Sequence, residues 1–158
     1  MILLGIISDT HGLLRREALD ALRGSELIIH AGDVGKAEIL ESLRKIAPVV
    51  AVRGNVDTAP WAEELPKTNI VQVGTHRIFI LHDRSQLAID TSHAGFAVVV
   101  FGHTHKPLAD FQEGVMFLNP GSAGPRRFKL PVSIALVRVS ASRLQPEIID
   151  LSRMRPGK

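Results

Sequence analysis

The first 57 residues contain three apolar runs, and each run ends in a short polar motif. Residues 2–7 are continuously apolar, as a central strand covered on both faces requires, and they end in Ser8-Asp9-Thr10-His11-Gly12. Residues 26–29 form a second run, ending in His30-Ala31-Gly32-Asp33, and residues 48–52 a third, ending in Arg53-Gly54-Asn55-Val56-Asp57. Between them, residues 13–22 carry Leu14, Ala18, Leu19 and Leu22 at helical spacing, and residues 36–46 carry Ile39, Leu40, Leu43 and Ile46. Strand–helix–strand–helix–strand implies right-handed crossovers and a parallel sheet. In such sheets ligands bind beyond the carboxyl ends of the strands, where Asp9, His11, Asp33 and Asn55 all fall.

The second half reads differently. Residues 68–73 and 77–81 form two strands around Gly74-Thr75, the latter ending in His82-Asp83. A short helix is expected over 86–92, then a strand over 96–101 that runs into Gly102-His103-Thr104-His105. Hairpins follow over 108–118, turning at Glu113-Gly114, and over 132–151, with the loop Asn119-Pro120-Gly121-Ser122 between them. A parallel αβ half followed by a mostly β half predicts an α/β fold, an αββα sandwich of two packed sheets flanked by helices. At 158 residues, 45% hydrophobic and 22% charged, the chain is expected to fold as one domain over residues 1–158.

The polar motifs define a ligand set. With no cysteine, a metal site here must use His, Asp, Glu, Asn or backbone oxygen. In an extended backbone His103 and His105 point to the same side and can face one point. Asp9, His11, Asp33, Asn55, His82, His103 and His105 are seven candidates at strand ends, more than one ion uses. Two ions sharing a carboxylate use them economically, and a pair about 3.5–4 Å apart is the arrangement that hydrolyses phosphate esters.

Charge points elsewhere only weakly. The net charge is +3, with Arg126, Arg127, Lys129, Arg143, Arg153, Arg155 and Lys158 thickening toward the C-terminus. With one Trp and no Tyr for stacking, a solvated surface is a better reading than a nucleic-acid patch. No segment approaches the roughly 20 apolar residues of a membrane span. The initial apolar run lacks a basic leader and reads as a strand, and the absence of cysteine fits a cytoplasmic protein.

In this order, Asp9-x-His11, Gly32-Asp33, Gly54-Asn55-x-Asp57, His82 and Gly102-His103-x-His105 resemble the calcineurin-like metallophosphoesterases. The short length and Asn119-Pro120-Gly121-Ser122 resemble their small bacterial and archaeal phosphodiesterase branch. The resemblance implies the metallo-dependent phosphatase-like fold and two divalent ions, with manganese favoured and nickel, iron, cobalt or zinc also suited. It implies one ion on Asp9, His11, Asp33 and His105, the other on Asp33, Asn55, His82 and His103, with Asp33 bridging. It further implies in-line attack of a metal-bridging hydroxide on a small phosphoester, with a diester favoured. Asn55, Asp57, His82 and His103 are the catalytic candidates, Asp57 acting by orienting a neighbour through hydrogen bonds. Asn55 and Arg53 are the substrate-binding candidates, although an ion pair would equally explain Arg53. A dimer or tetramer is compatible with the family.

Two positions depart from the pattern. Many relatives have a proton-donating histidine where this chain has Val56, and most have Gly where it has Asp83. Asp tolerates left-handed backbone angles, so the loop after His82 is expected to keep its shape. His30 reads as a hydrogen-bonded structural residue, His76 and His93 as surface residues, and Trp61 as packing. The competing functions are a protein-binding scaffold on the same fold, as in the retromer subunit that has lost part of its metal site, and a nuclease suggested by the basic C-terminal region.

Overall fold

The computed structural model describes residues 1–154. Arg155 and Lys158 of the basic C-terminal group lie outside the described residues.

Two five-stranded mixed sheets face each other. The first has the order β10-β9-β1-β2-β3. It comprises β1 (Ile2–Ile7), β2 (Leu27–His30) and β3 (Val49–Ala51), parallel to one another, with β9 (Ser133–Val139) antiparallel to β1 and β10 (Leu144–Asp150) antiparallel to β9. The second, in the order β4-β5-β6-β8-β7, is built from β4 (Thr68–Val73), β5 (His76–Leu81), β6 (Val98–Val100), β7 (Leu108–Gln112) and β8 (Val115–Asn119). Its three central strands β5, β6 and β8 are parallel, and its edges β4 and β7 are antiparallel to their neighbours.

The period-two alternation of the strands sorts the core into layers. Leu4 and Ile6 of β1, Ile78 and Ile80 of β5, Val98 and Val100 of β6, and Met116 and Leu118 of β8 fill the space between the sheets. Gly5 and Ile7 face the other way, toward the helices α1 (Arg16–Leu22) and α2 (Ala37–Arg44). Gly5 is small for a reason: a Cβ there would lie 2.5 Å from Leu22 Cδ2, so α1 packs directly on the backbone of β1. Ala18, Leu22, Ile39, Leu40 and Leu43 close that layer. Each CH₂ so buried contributes about 0.8 kcal/mol.

The helices are shorter than their apolar stripes predict. α1 starts at Arg16 rather than Leu13, because residues 10–13 form a turn in which Leu13 N donates to Thr10 O. α2 ends at Arg44, and Ile46 N reaches Leu43 O in a tightened last turn.

The helix expected over 86–92 is absent. A 3₁₀ turn at Arg84–Gln86 is followed by an irregular segment. Asp90 accepts from His93 N, and such local side-chain bonds compete with helix formation. The outer face of the second sheet, with Leu81, Val99, Phe101, Val115 and Phe117, is therefore covered by this loop. Arg84 serves as part of the roof, its guanidinium 4.1 Å from the Phe117 ring centroid and 5.5 Å from that of Phe101.

His76 is more than a surface residue. Its Nε2 lies 2.8 Å from Ser140 O and ties the β4–β5 hairpin to the β9–β10 hairpin. His93 is exposed and paired with Asp90, and Trp61 packs half-buried against the helical layer. No helix among the described residues is long and apolar enough to cross a membrane.

Candidate metal centre

The carboxyl ends of β1, β2, β3, β5 and β6 converge on one rim, and each delivers a polar loop to it. Two groups of ligand atoms form there: Asp9, His11 and His105, and Asp33, His82 and His103. His103 and His105 thus belong to different groups.

Backbone geometry explains the divergence. The extended alternation expected for His-Thr-His does not occur: His103 has φ 72° and His105 φ 64°, both left-handed. Asp9 (φ 56°), His11 (φ 47°) and Asp33 (φ 55°) share that conformation. Left-handed backbone costs an L-residue roughly 1–2 kcal/mol, and such outliers cluster where function requires a fixed geometry.

The strain is sustained by hydrogen bonds that use one oxygen of each carboxylate and leave the other for the centre. Asp9 Oδ2 accepts from Ser8 Oγ (2.6 Å) and from His103 N (3.1 Å). Its Oδ1 faces His105 Nε2 (3.3 Å), His11 Nε2 (3.6 Å) and His82 Nε2 (3.8 Å). Asp33 Oδ1 accepts from Val56 N (3.0 Å), while Oδ2 stands between His82 Nε2 (3.1 Å) and His11 Nε2 (3.6 Å), touching both groups. His82 Nδ1–H donates to Ala31 O (2.8 Å), which turns Nε2 toward the centre. Asn55 Oδ1 lies 3.3 Å from His103 Nδ1 and so joins the second group.

Burial pushes the Asp9 carboxyl up, but His105, His11, His82 and Ser8 outweigh it and hold it well below the usual carboxylate range. For Asp33 burial is again opposed, here by His82 and Val56 N, and the net shift is downward. Burial lowers His82, yet Asp33 and Asp9 together raise it.

The donor set fits divalent cations. Asp9 Oδ1, His11 Nε2 and His82 Nε2 are buried, and among the described residues none has an aligned hydrogen-bond partner. Buried polar atoms left this way are costly unless something binds them. Three atoms of two ligand types aimed at one space match imidazole–carboxylate coordination without thiolate.

Asp57 does not reach a ligand side chain. Its carboxylate accepts from Val34 N (3.1 Å), Gly35 N (3.0 Å) and Gly54 N (2.9 Å), locking the loop that carries Asp33 to the one that carries Asn55. His30 is wholly buried in a relay: Gly32 N donates to its Nδ1 (3.1 Å), its Nε2–H faces Thr10 Oγ1 (3.0 Å), and Thr10 donates to Val34 O (2.8 Å). Burial lowers its pKa to about 4 and keeps the ring neutral.

Asp83 departs from expectation, with extended backbone at φ −115°. Its Oδ1 accepts from Ser85 N and Ser85 Oγ, and its Oδ2 lies 3.8 Å from His103 Nε2. Weak burial opposes these contacts, and the net effect is to lower its pKa.

Sequence reasoning named Ser8, Thr10, Asn119 and Ser122 only within longer motifs and gave none of them a role of its own. Asn119 Nδ2 donates to Gly102 O (3.1 Å) and Thr104 Oγ1 (3.2 Å), fixing the His-Thr-His turn, and Ser122 Oγ donates to Asp9 O (3.0 Å). The signal available was polarity inside a buried stretch, since Asn119 and Ser8 are both fully buried.

Beside the centre a cleft of about 270 Å³ runs from Asn55 and His82 toward Arg53, Lys67, Thr68 and Gln86.

Two mixed sheets bearing a strand-end imidazole–carboxylate cluster define an α/β phosphoesterase-type architecture, and the comparisons with known proteins agree. The family model for the calcineurin-like phosphoesterase superfamily domain matches residues 2–142, and the chain belongs to that superfamily. A probable metallophosphoesterase of Methanothermobacter thermautotrophicus is 35% identical over 159 residues, covering 93% of this chain and 91% of its own. The phosphodiesterase YfcE of Escherichia coli is 28% identical over 172 residues, covering 87% of this chain and 88% of its own. In fold, the chain superposes on a solved archaeal phosphodiesterase with a TM-score of 0.79, 23% identity, and coverage of 94% of this chain and all of that one.

Proposed function

We propose that the chain is a phosphodiesterase with a two-metal centre, working as one domain over residues 1–158. The observation that carries this is the placement of Asp33 Oδ2 between His11 of one ligand group and His82 of the other. On this reading Asp9, His11, Asp33 and His105 hold one ion, and Asp33, Asn55, His82 and His103 the other. When bound, the ions supply an acidified water as nucleophile and neutralise the phosphate oxygens.

The chain's residues do the rest. Ser8 and His103 N hold Asp9, Val56 N holds Asp33, and Ala31 O holds His82, so the ligand atoms are oriented before anything binds. Asn55 is exposed, and its amide can donate to a phosphate oxygen, while Arg53 lines the adjoining cleft as a substrate contact. Val56 supplies no proton to the leaving group, which favours good leaving groups, since a missing general acid costs typically 10²–10⁴-fold. Manganese is the ion we assign, the cytoplasm the compartment, and a dimer or tetramer the assembly to test by light scattering.

Purified protein supplied with manganese is expected to hydrolyse bis(p-nitrophenyl) phosphate. The Asp33→Ala variant, which removes the oxygen that stands between His11 and His82, is expected to lose at least about 10³-fold in kcat. Full activity in Asp33→Ala would overturn the two-metal reading.

A further inference from the structure

The cleft beside Asn55 and His82 has a chemistry that the metal centre does not use. Its lining is Arg53, Gly54, Asn55, Lys67, Thr68, Leu81, His82 and Gln86. Two of these are cations, and no carboxylate is among them. Among the described residues neither Arg53 nor Lys67 is in an ion pair, whereas Arg23, Arg138 and Arg153 are.

The position of the two cations is set by the fold. Arg53 leaves β3 in the motif that carries Asn55, and its backbone N–H donates to Pro66 O (2.8 Å), one residue before Lys67. Lys67 immediately precedes Thr68, which pairs with Leu81 in β4–β5, and His82 follows Leu81. The same strand ends that aim Asn55 and His82 at the centre thus carry the two free cations away from it. No Phe, Tyr or Trp lines the cleft, and its one ring, His82, is buried, so the cleft has no broad stacking face for a base. Its volume, about 270 Å³, suits a short polyol arm.

We infer that this cleft is a second anion subsite, and that the substrate is a phosphodiester one of whose alcohols is a small polyol carrying a further phosphate. The inference rests on the phosphodiesterase reading above. Arg53 offers a planar two-pronged donor and Lys67 a point charge, a pairing suited to phosphate. In the reaction a water oxygen forms the new bond to phosphorus. The bond to the leaving alkoxide or phenolate breaks with its electron pair on the departing oxygen, and the water's proton is released. The second phosphate stays intact and orients the arm.

The test uses two matched substrates: the p-nitrophenyl diester of glycerol 1-phosphate, and the same ester with a second phosphate at the 3-hydroxyl. Manganese-loaded protein is expected to favour the bisphosphate form by at least about tenfold in kcat/KM, mainly through KM and with steep salt sensitivity. That ratio is expected to collapse toward one in Lys67→Met and to persist in Lys67→Arg. Calorimetry gives a readout independent of turnover: glycerol 1,3-bisphosphate is expected to bind at least about tenfold more tightly than glycerol 1-phosphate, and to lose that advantage in Lys67→Met. Equal kcat/KM for the pair, equal binding of the two glycerol phosphates, or an unchanged ratio in Lys67→Met would overturn the subsite. Failure to hydrolyse either ester or bis(p-nitrophenyl) phosphate with any divalent ion would instead overturn the phosphodiesterase reading, leaving the calorimetric result to decide on the subsite.

Discussion

Asp9 and Asp33 each divide their two oxygens between the protein and the centre, and this division makes the site specific. One oxygen is held by Ser8 and His103 N, or by Val56 N, and the other faces imidazoles, in Asp9 without any aligned partner. The glycines next to these residues exist to allow the approach. A Cβ on Gly102 would lie 2.1 Å from Ser8 Oγ and 2.5 Å from Asp9 Oδ2, and one on Gly54 2.1 Å from Asp33 Oδ1. The Gly102→Ala variant is expected to lose about 1–3 kcal/mol of stability in urea unfolding, and to lose metal affinity with it. His30 adds a pH dependence at the same scale. Its folded pKa of about 4 lies below the ordinary 6.5, so the unfolded chain binds the extra proton between those values. Stability from this residue is therefore fully present above about pH 6.5 and is lost as pH falls toward 4, by roughly 3 kcal/mol in all. Urea unfolding of metal-free protein should show that slope, and His30→Gln should flatten it.

At the scale of elements, the parts legible in the sequence were those where burial and periodicity agree. β1, β5, β8 and the positions of the two helices follow from apolar runs and 3.6-residue stripes, and the strand-end rule placed the ligand motifs on one rim. What was hidden depends on neighbours distant in sequence. The left-handed backbone at His11, His103 and His105 carries only a weak compositional mark, since histidine enters that region more readily than most residues without requiring it, so the His-Thr-His motif looked like an extended pair. The 86–92 segment was misread for the opposite reason: Leu87, Ala88 and Ile89 suggest a helix, but Ile89 is exposed and Asp90 bonds locally. Arg84 over Phe117 and Phe101 takes the place of that helix, together with Leu87. Removing it in Arg84→Ala is expected to cost about 1–2 kcal/mol, more than an exposed arginine would, measured by thermal or chemical unfolding.

At the scale of the molecule, each half of the chain supplies part of both ligand groups. Asp9, His11, Asp33 and Asn55 come from the first sheet's loops, and His82, His103 and His105 from the second's. The sandwich must therefore close before the centre exists; Ser122, reaching back to Asp9, helps close it, while Asn119 fixes the Gly102 turn within the second sheet. A protein-binding scaffold has no need for orphaned buried donors, which argues for chemistry at this rim. The measurement that tests the account most directly is the number and position of manganese ions by anomalous diffraction, on wild type and on the His103→Ala and His105→Ala variants. The account predicts two manganese ions per chain in the wild type and one in each variant, held in different places. A single ion in the wild type, or the loss of the same ion from both variants, would contradict it.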